Sequence, residues 1–187
     1  MMSILPMDEL NRLEVEIRDR FGDEHLKIDD DYEDVIDMML DLFLLAYAMG
    51  NSVTNENLSS NYQPSADEVM SVVDAKVAGE TWRERVKGYF SSGGTGADIA
   101  RIADTEMHRI ANTAALNTAK KAGATSKTWV TMLDDRVRET HDYLEGMTVG
   151  IDEDFYTYDG DHARAPGLFT LPENNINCRC TLNLIRE

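Results

Sequence analysis

The run Ala97–Ala122, ADIARIADTEMHRIANTAALNTAKKA, gives way across Gly123 to Thr128–Leu133, TWVTML, and that change of period decides the fold. The first stretch spaces Ile99, Ile102, Ala103, Ile110, Ala114 and Leu116 at loosely helical intervals among many small residues suited to close packing. The second is short, β-branched and aromatic, the signature of a strand. A short helix is expected next, opening between Asp134 and Glu139 and stopping at Gly146. A loop-rich stretch with Phe155, Tyr156, Tyr158, Pro166, Phe169 and Pro172 then leads to Cys178–Ile185, CRCTLNLI, a second strand. The economical pairing lays the two strands antiparallel. The expected class is α+β, with a mainly helical N-terminal half and a C-terminal module holding a long helix and a small antiparallel sheet.

Upstream, the pattern is helical. SSGGTG at Ser91–Gly96 is a flexible joint; it lacks the Lys-Ser/Thr of a phosphate loop, and no strand precedes it. Ser65 and Glu68 have capping-box spacing and open a helix expected to reach about Phe90. Asn51–Pro64 is polar and is expected to be a linker. Before it, Asp30 and Asp31 favour the start of a helix that Gly50 and Asn51 should close. Its second half, Leu42–Met49, is apolar all round and should be buried or docked on a partner. Leu10, Leu13, Ile17 and Phe21 form the stripe of a first helix, which Asp8 can cap and Gly22 can end. The expected organisation is an acidic helical arm over 1–62, a helical segment over 63–92 and a module over 93–187.

Charge separates these parts. Asp and Glu total 35 against 18 Lys and Arg, a formal net charge of -17 over 187 residues. Residues 1–62 carry 15 acidic residues against four basic ones, which marks the front third as an interaction arm. So acidic a surface disfavours direct DNA binding. The apolar run Leu42–Met49 is too short to span a bilayer, and the first residues lack the pattern of a signal peptide, so no membrane is expected. With two cysteines, a disulfide scaffold is excluded and a reducing compartment is expected.

His141, His162, Cys178 and Cys180 carry metal-ligand chemistry, and two thiolates with two imidazoles suit tetrahedral zinc. Asp142 is a substitute for His162. On an extended strand Cys178 and Cys180 share a face; a disulfide between them would require a bent chain. The plainer reading is two reduced, packed thiols. Asp134, Asp135, Arg136, Arg138 and His141 put acid, base and cation on one turn, as a nuclease or transferase could use. A local ion-pair and capping cluster is the plainer reading, and we adopt it. Glu106 and Arg109 are expected to form a surface ion pair, and Met38, Met39 and Met49 an adaptable core or interface.

Three pieces in order, RIADTEMHRIAN at Arg101–Asn112, WVTMLDDRVRETHDYLEG at Trp129–Gly146 and PENNINCRC at Pro172–Cys180, resemble the phage Mu F-like family of minor head, or head morphogenesis, proteins. The matching positions are Trp129, Asp134, Arg136, Arg138, His141, Gly146, Pro172, Asn177, Cys178 and Cys180. Glu139 departs from the pattern, where proline is common. The resemblance covers about residues 94–186. It implies a structural component of a tailed-phage or prophage head, not an enzyme, working in the virion and in the host bacterial cytoplasm during assembly. Portal protein and capsid or scaffold proteins are the implied partners. Two rivals stand beside it. Modules of this family are sometimes joined to nuclease or ADP-ribosyltransferase domains, although the chain is expected to leave no room for one. An acidic DNA mimic that inhibits a host protein is the other.

Overall fold

A computed structural model of the chain describes residues 28–186 together with Arg12 and Val15, both helical; the remainder of the helix expected over residues 8–22 lies outside the described residues. The first long helix, α1, spans Ile28–Asn57. Val35, Met39, Leu42, Phe43, Ala46 and Tyr47 fall on one face at three- and four-residue steps and are all buried. Their partner is the central helix, in a core that also holds Ile99, Ile102, Ala103, Met107, Ile110, Ala111 and Ala114. Half of Leu42–Met49 is therefore taken up inside the protein (Leu42, Phe43, Ala46 and Tyr47), with Leu44, Leu45 and Ala48 left exposed. Among the described residues, Tyr32–Asn57 alone is long and apolar enough to cross a bilayer, and half of it is buried within this core.

Gly50 does not end α1. A Cβ at this position would lie 2.3 Å from the Ala111 carbonyl oxygen, so the glycine is where two helix backbones meet. Past it, Asn51 is buried and accepts a 2.7 Å hydrogen bond from the Thr118 hydroxyl, which carries the helix into the stretch expected to be a linker. The turn of the chain comes later, where Asn55 holds the Tyr62 backbone through both its amide groups.

The single helix expected over residues 65–90 is two. Helix α2, Ala66–Val73, starts at the Ser65–Glu68 capping box read from the sequence. A reversal through Ala78 and Gly79, both left-handed, separates it from α3, Trp82–Ser92. A second capping box, Thr81 with Glu84, restarts the helix, and a third, Thr95 with Asp98, starts α4 at Gly96–Lys121. The Ser91–Gly96 joint is thus a tight helix–helix turn.

Helix α4 is the axis of the molecule. Its first part belongs to the helical core and Leu116 to a second core, built with Trp129, Leu144, Phe155, Phe169, Cys178, Cys180 and Leu182. The helical core draws on residues from both sides of positions 62 and 93.

The sheet is antiparallel in the order β2 (Thr148–Gly150), β1 (Ser126–Val130), β5 (Thr181–Ile185). The expected pairing of first and last strands is present, with Trp129 opposite Leu182 and Thr128 opposite Asn183. Both strands are shorter than their apolar runs. Strand β1 stops at Val130 because the Thr131 N–H is taken by the Glu145 carboxylate at 2.6 Å and Leu133 is left-handed. Strand β5 begins only at Thr181, after a left-handed Asn177. A separate two-stranded ribbon pairs β3 (Phe155–Tyr156) with β4 (His162–Ala163). Single-turn helices α5 (Glu139–Asp142) and α6 (Pro172–Asn175) complete the module.

The period of β1 puts Lys127 on the same inward face as Trp129, and it is wholly buried. Its ammonium donates to the Arg164 carbonyl at 2.8 Å and lies 5.4 Å from the centre of the Phe155 ring. Burial, reinforced by Lys120 and Arg164 and opposed by Asp154 and Asp152, pulls its pKa down to about 8. In the unfolded chain it keeps the ordinary value near 10.5. Between those values the unfolded chain binds the extra proton, so stability should rise with pH from about 8 to 10.5, by about 3 kcal/mol in all. Urea unfolding across that range, compared with Lys127→Met, isolates the effect: the variant's curve should be flatter by that amount. Parallel curves would show that Lys127 titrates normally.

Candidate functional site

The matching residues converge on one face of the module, around the end of β1, α5 and the loop that enters β5. Trp129 is fully buried at the centre. Its ring makes edge contacts with His141 (5.5 Å between centroids) and Phe155 (5.1 Å) and tilts against Phe169 at 5.6 Å. Phe169 in turn stacks on His141 at 5.2 Å. The backbone of Trp129 is tied to the far end of the same segment, receiving Gly146 N–H at 3.0 Å and donating to the Met147 carbonyl at 2.9 Å. Gly146 has φ of 71°, a conformation that side chains resist, which accounts for glycine at this matching position.

The charged positions act as struts. Asp134 receives both terminal nitrogens of Arg179 at 2.7 and 2.8 Å, and these bonds hold its carboxyl below the ordinary range. Arg138 reaches across to the carbonyls of Asn174 (3.3 Å) and Ile176 (2.6 Å), satisfying the end of α6. Arg136 extends into solvent, with its backbone N–H on Asp134. Pro172 starts α6, where its missing N–H is no loss. The ion-pair and capping reading of Asp134–His141 thus describes Asp134 and Arg138, although their partners lie about forty residues downstream and not on the same turn.

His141, Cys178 and Cys180 are brought together. The Cys178 and Cys180 sulfurs lie 3.6 and 3.4 Å from His141 Nδ1, and the three donor atoms lie within 4.8 Å of one another. All three side chains are buried and both thiols are free. The loop that carries the cysteines is held at several points. Cys178 N–H bonds the Asn175 carbonyl at 3.1 Å, and the Asn112 amide of α4 donates to the Cys180 carbonyl at 3.0 Å. The Cys180 thiol, with the His141 ring, favours the thiolate of Cys178 and holds it well below the ordinary thiol value, while that thiolate and burial push Cys180 up. His162 stands outside this group. Its Nδ1 is 2.9 Å from an Asp154 carboxylate oxygen and its ring stacks on Tyr156, with the side chain about half exposed. Asp142 is exposed.

Two buried groups had no cue in the pattern, and a third, the Glu106–Arg109 pair, was read with the wrong exposure. Asp161 accepts hydrogen bonds from Thr170 Oγ1 (2.6 Å), Asn174 (2.8 Å) and the backbone N–H groups of His162, Thr170 and Leu171. Burial opposes its charge, but those bonds prevail and lower its pKa. Asn175 both accepts from Phe169 N–H and donates to the Phe169 carbonyl, fixing the ring that covers His141. Glu106 and Arg109, expected on the surface, are each 1% exposed. The correction follows from α2 and α3, which fold over that face of α4: Arg109 bonds Glu106 at 2.6 Å and the Val72 and Val73 carbonyls at 2.9 and 3.1 Å, and Arg85 closes on Glu106 from α3.

A family model described as Phage Mu protein F like protein matches residues 67–183 of the chain, beginning well before the module boundary expected at 93. Two curated relatives are similar to part of the chain. The NAD(+)--arginine ADP-ribosyltransferase EFV of Enterococcus faecalis (strain ATCC 700802 / V583) is 31% identical over 149 residues, covering 62% of this chain and 30% of that protein. The minor head protein GP7 of Bacillus phage SPP1 is 29% identical over 117 residues, covering 60% of this chain and 38% of that protein. The chain thus spans about a third of the length of either relative. No solved structure matches. With a match over more than half of its length and the matching residues assembled into one framework, the chain belongs to the Phage Mu F-like protein family.

Proposed function

We propose that the chain is a structural minor head protein of a tailed phage or prophage, assembling with portal and capsid proteins inside the head. The observation that carries this reading is the match over residues 67–183 together with how the matching residues are used. Trp129, Asp134, Arg138, Gly146 and Pro172 each support the backbone or a neighbouring ring, as residues of a framework do. The likeness to the SPP1 minor head protein supports the same class. Host cytoplasm during assembly and the virion head afterwards are the corresponding locations.

A second reading draws on the Enterococcus faecalis relative, whose name is that of an ADP-ribosyltransferase. The aligned region is under a third of that protein, so the shared part is compatible with a module that both proteins carry beside different functions. Incubation of the purified chain with labelled NAD⁺ and arginine-bearing acceptor proteins separates the readings. We expect no label transfer. Transfer that disappears in His141→Ala would establish the enzyme reading and refute ours.

A further inference from the structure

We propose that His141, Cys178 and Cys180 form a binding site for a thiophilic divalent cation, with Zn²⁺ as the natural occupant. Neither the family match nor either relative's name assigns a metal to these residues. The site rests on geometry. Tetrahedral zinc with ordinary Zn–S and Zn–N bonds requires about 3.6 Å between a ligand sulfur and a ligand nitrogen. The two sulfur–nitrogen separations here are 3.4 and 3.6 Å, both to the same ring nitrogen. A cation serves all three donors together.

The surroundings are those of a prepared site. His141 Nε2 is buried with no protein hydrogen-bond partner, so the ring is held by its stacking contacts and by the sulfurs at Nδ1. Phe169 and Trp129 fix the plane of that ring, and Asn112 and Asn175 fix the loop that aims the sulfurs. On the outer side a small depression lined by Arg136, Arg138, Asn177 and Arg179 reaches all three donors. A fourth ligand, water in the isolated chain, enters from there. The structure thus assigns a three-ligand site and leaves His162, bonded to Asp154, outside it.

The test uses the full chain, purified in reductant without chelator and then titrated with Co²⁺. We expect about one metal per chain by elemental analysis, and with Co²⁺ both thiolate charge-transfer absorption and the visible bands of tetrahedral coordination. Cys178→Ser and Cys180→Ser should each lower the metal content at least about tenfold, whereas His162→Ala should leave it unchanged. The cobalt spectrum is read on the unaltered chain, so a variant that fails to fold does not blunt the test. A reduced, folded chain that takes up neither Zn²⁺ nor Co²⁺ at micromolar concentration overturns the proposal. So does a Co²⁺ complex without thiolate bands, or metal lost equally in His162→Ala. This outcome is independent of the head-assembly reading, which does not require a metal.

Discussion

Arg109→Met should destabilise the protein by about 3 kcal/mol in chemical denaturation, because it leaves the buried Glu106 carboxylate with Arg85 as its remaining arginine partner and takes the side-chain donor from the Val73 carbonyl. Arg109 sits where α2, α3 and α4 meet, and its guanidinium answers Glu106 and the last carbonyls of α2 in one plane. A lysine has a single point donor and cannot replace that fork, so Arg109→Lys should recover only a small part of the loss. The double variant Glu106→Leu/Arg109→Met is the informative control. Removing the buried carboxylate together with Arg109 relieves most of the desolvation cost, while Arg85, 23% exposed, can turn to solvent, so it should be more stable than Arg109→Met alone. It should still fall short of the unaltered chain, since the Val73 carbonyl loses its arginine donor, at about 1–3 kcal/mol. A loss below about 1 kcal/mol in Arg109→Met would mean that this junction is wet and that α2 packs loosely on α4.

Trp129→Ala should cost a similar amount, about 3–5 kcal/mol, for a different reason. The indole is the piece against which His141, Phe155 and Phe169 are all set, so its removal leaves a cavity bounded by strand, ribbon and loop that cannot easily close together. Trp129→Phe keeps a ring at the centre and should cost about 1–2 kcal/mol. The two variants should also differ at the thiols. In Trp129→Ala the His141 ring loses one wall, and Cys178 and Cys180 should react faster with a thiol reagent in the folded state; in Trp129→Phe they should stay protected. Equal reactivity in both variants would show that the α6 loop alone shields the sulfurs.

These two positions also show what could be read before the structure and what could not. Trp129 lies in a period-2 apolar run, and the pairing of that run with the final strand follows from the same pattern. The Ser65–Glu68 cap was legible because its chemistry is local, and the Thr81–Glu84 and Thr95–Asp98 caps follow the same rule. Arg109 was not legible. Its spacing to Glu106 is that of a surface pair, and its burial depends on α2 and α3, which a one-dimensional pattern cannot fold over it. Gly50 misled in a similar way, since a glycine after an apolar helix suggests a stop, whereas here it admits the Ala111 backbone. For the candidate site, the grouping of His141 with Cys178 and Cys180 came from residue chemistry, and the place of His162 was decided by Asp154, far outside any motif. Asp161 and Asn175 were silent because their partners are mostly backbone amides, which carry no signature in the side-chain sequence.

On the proposed reading, the framework residues serve a protein that is built into a phage head. The direct measurement is quantitative mass spectrometry of particles purified from the phage or prophage that encodes the chain, resolved by density into empty and DNA-filled heads. The account predicts that the chain sediments with the portal and capsid proteins at a few copies per particle, and that the destabilised Arg109→Met variant is present in them at lower amount. Particles rich in portal and capsid proteins but devoid of the chain, while folded chain accumulates free in the lysate, would contradict it.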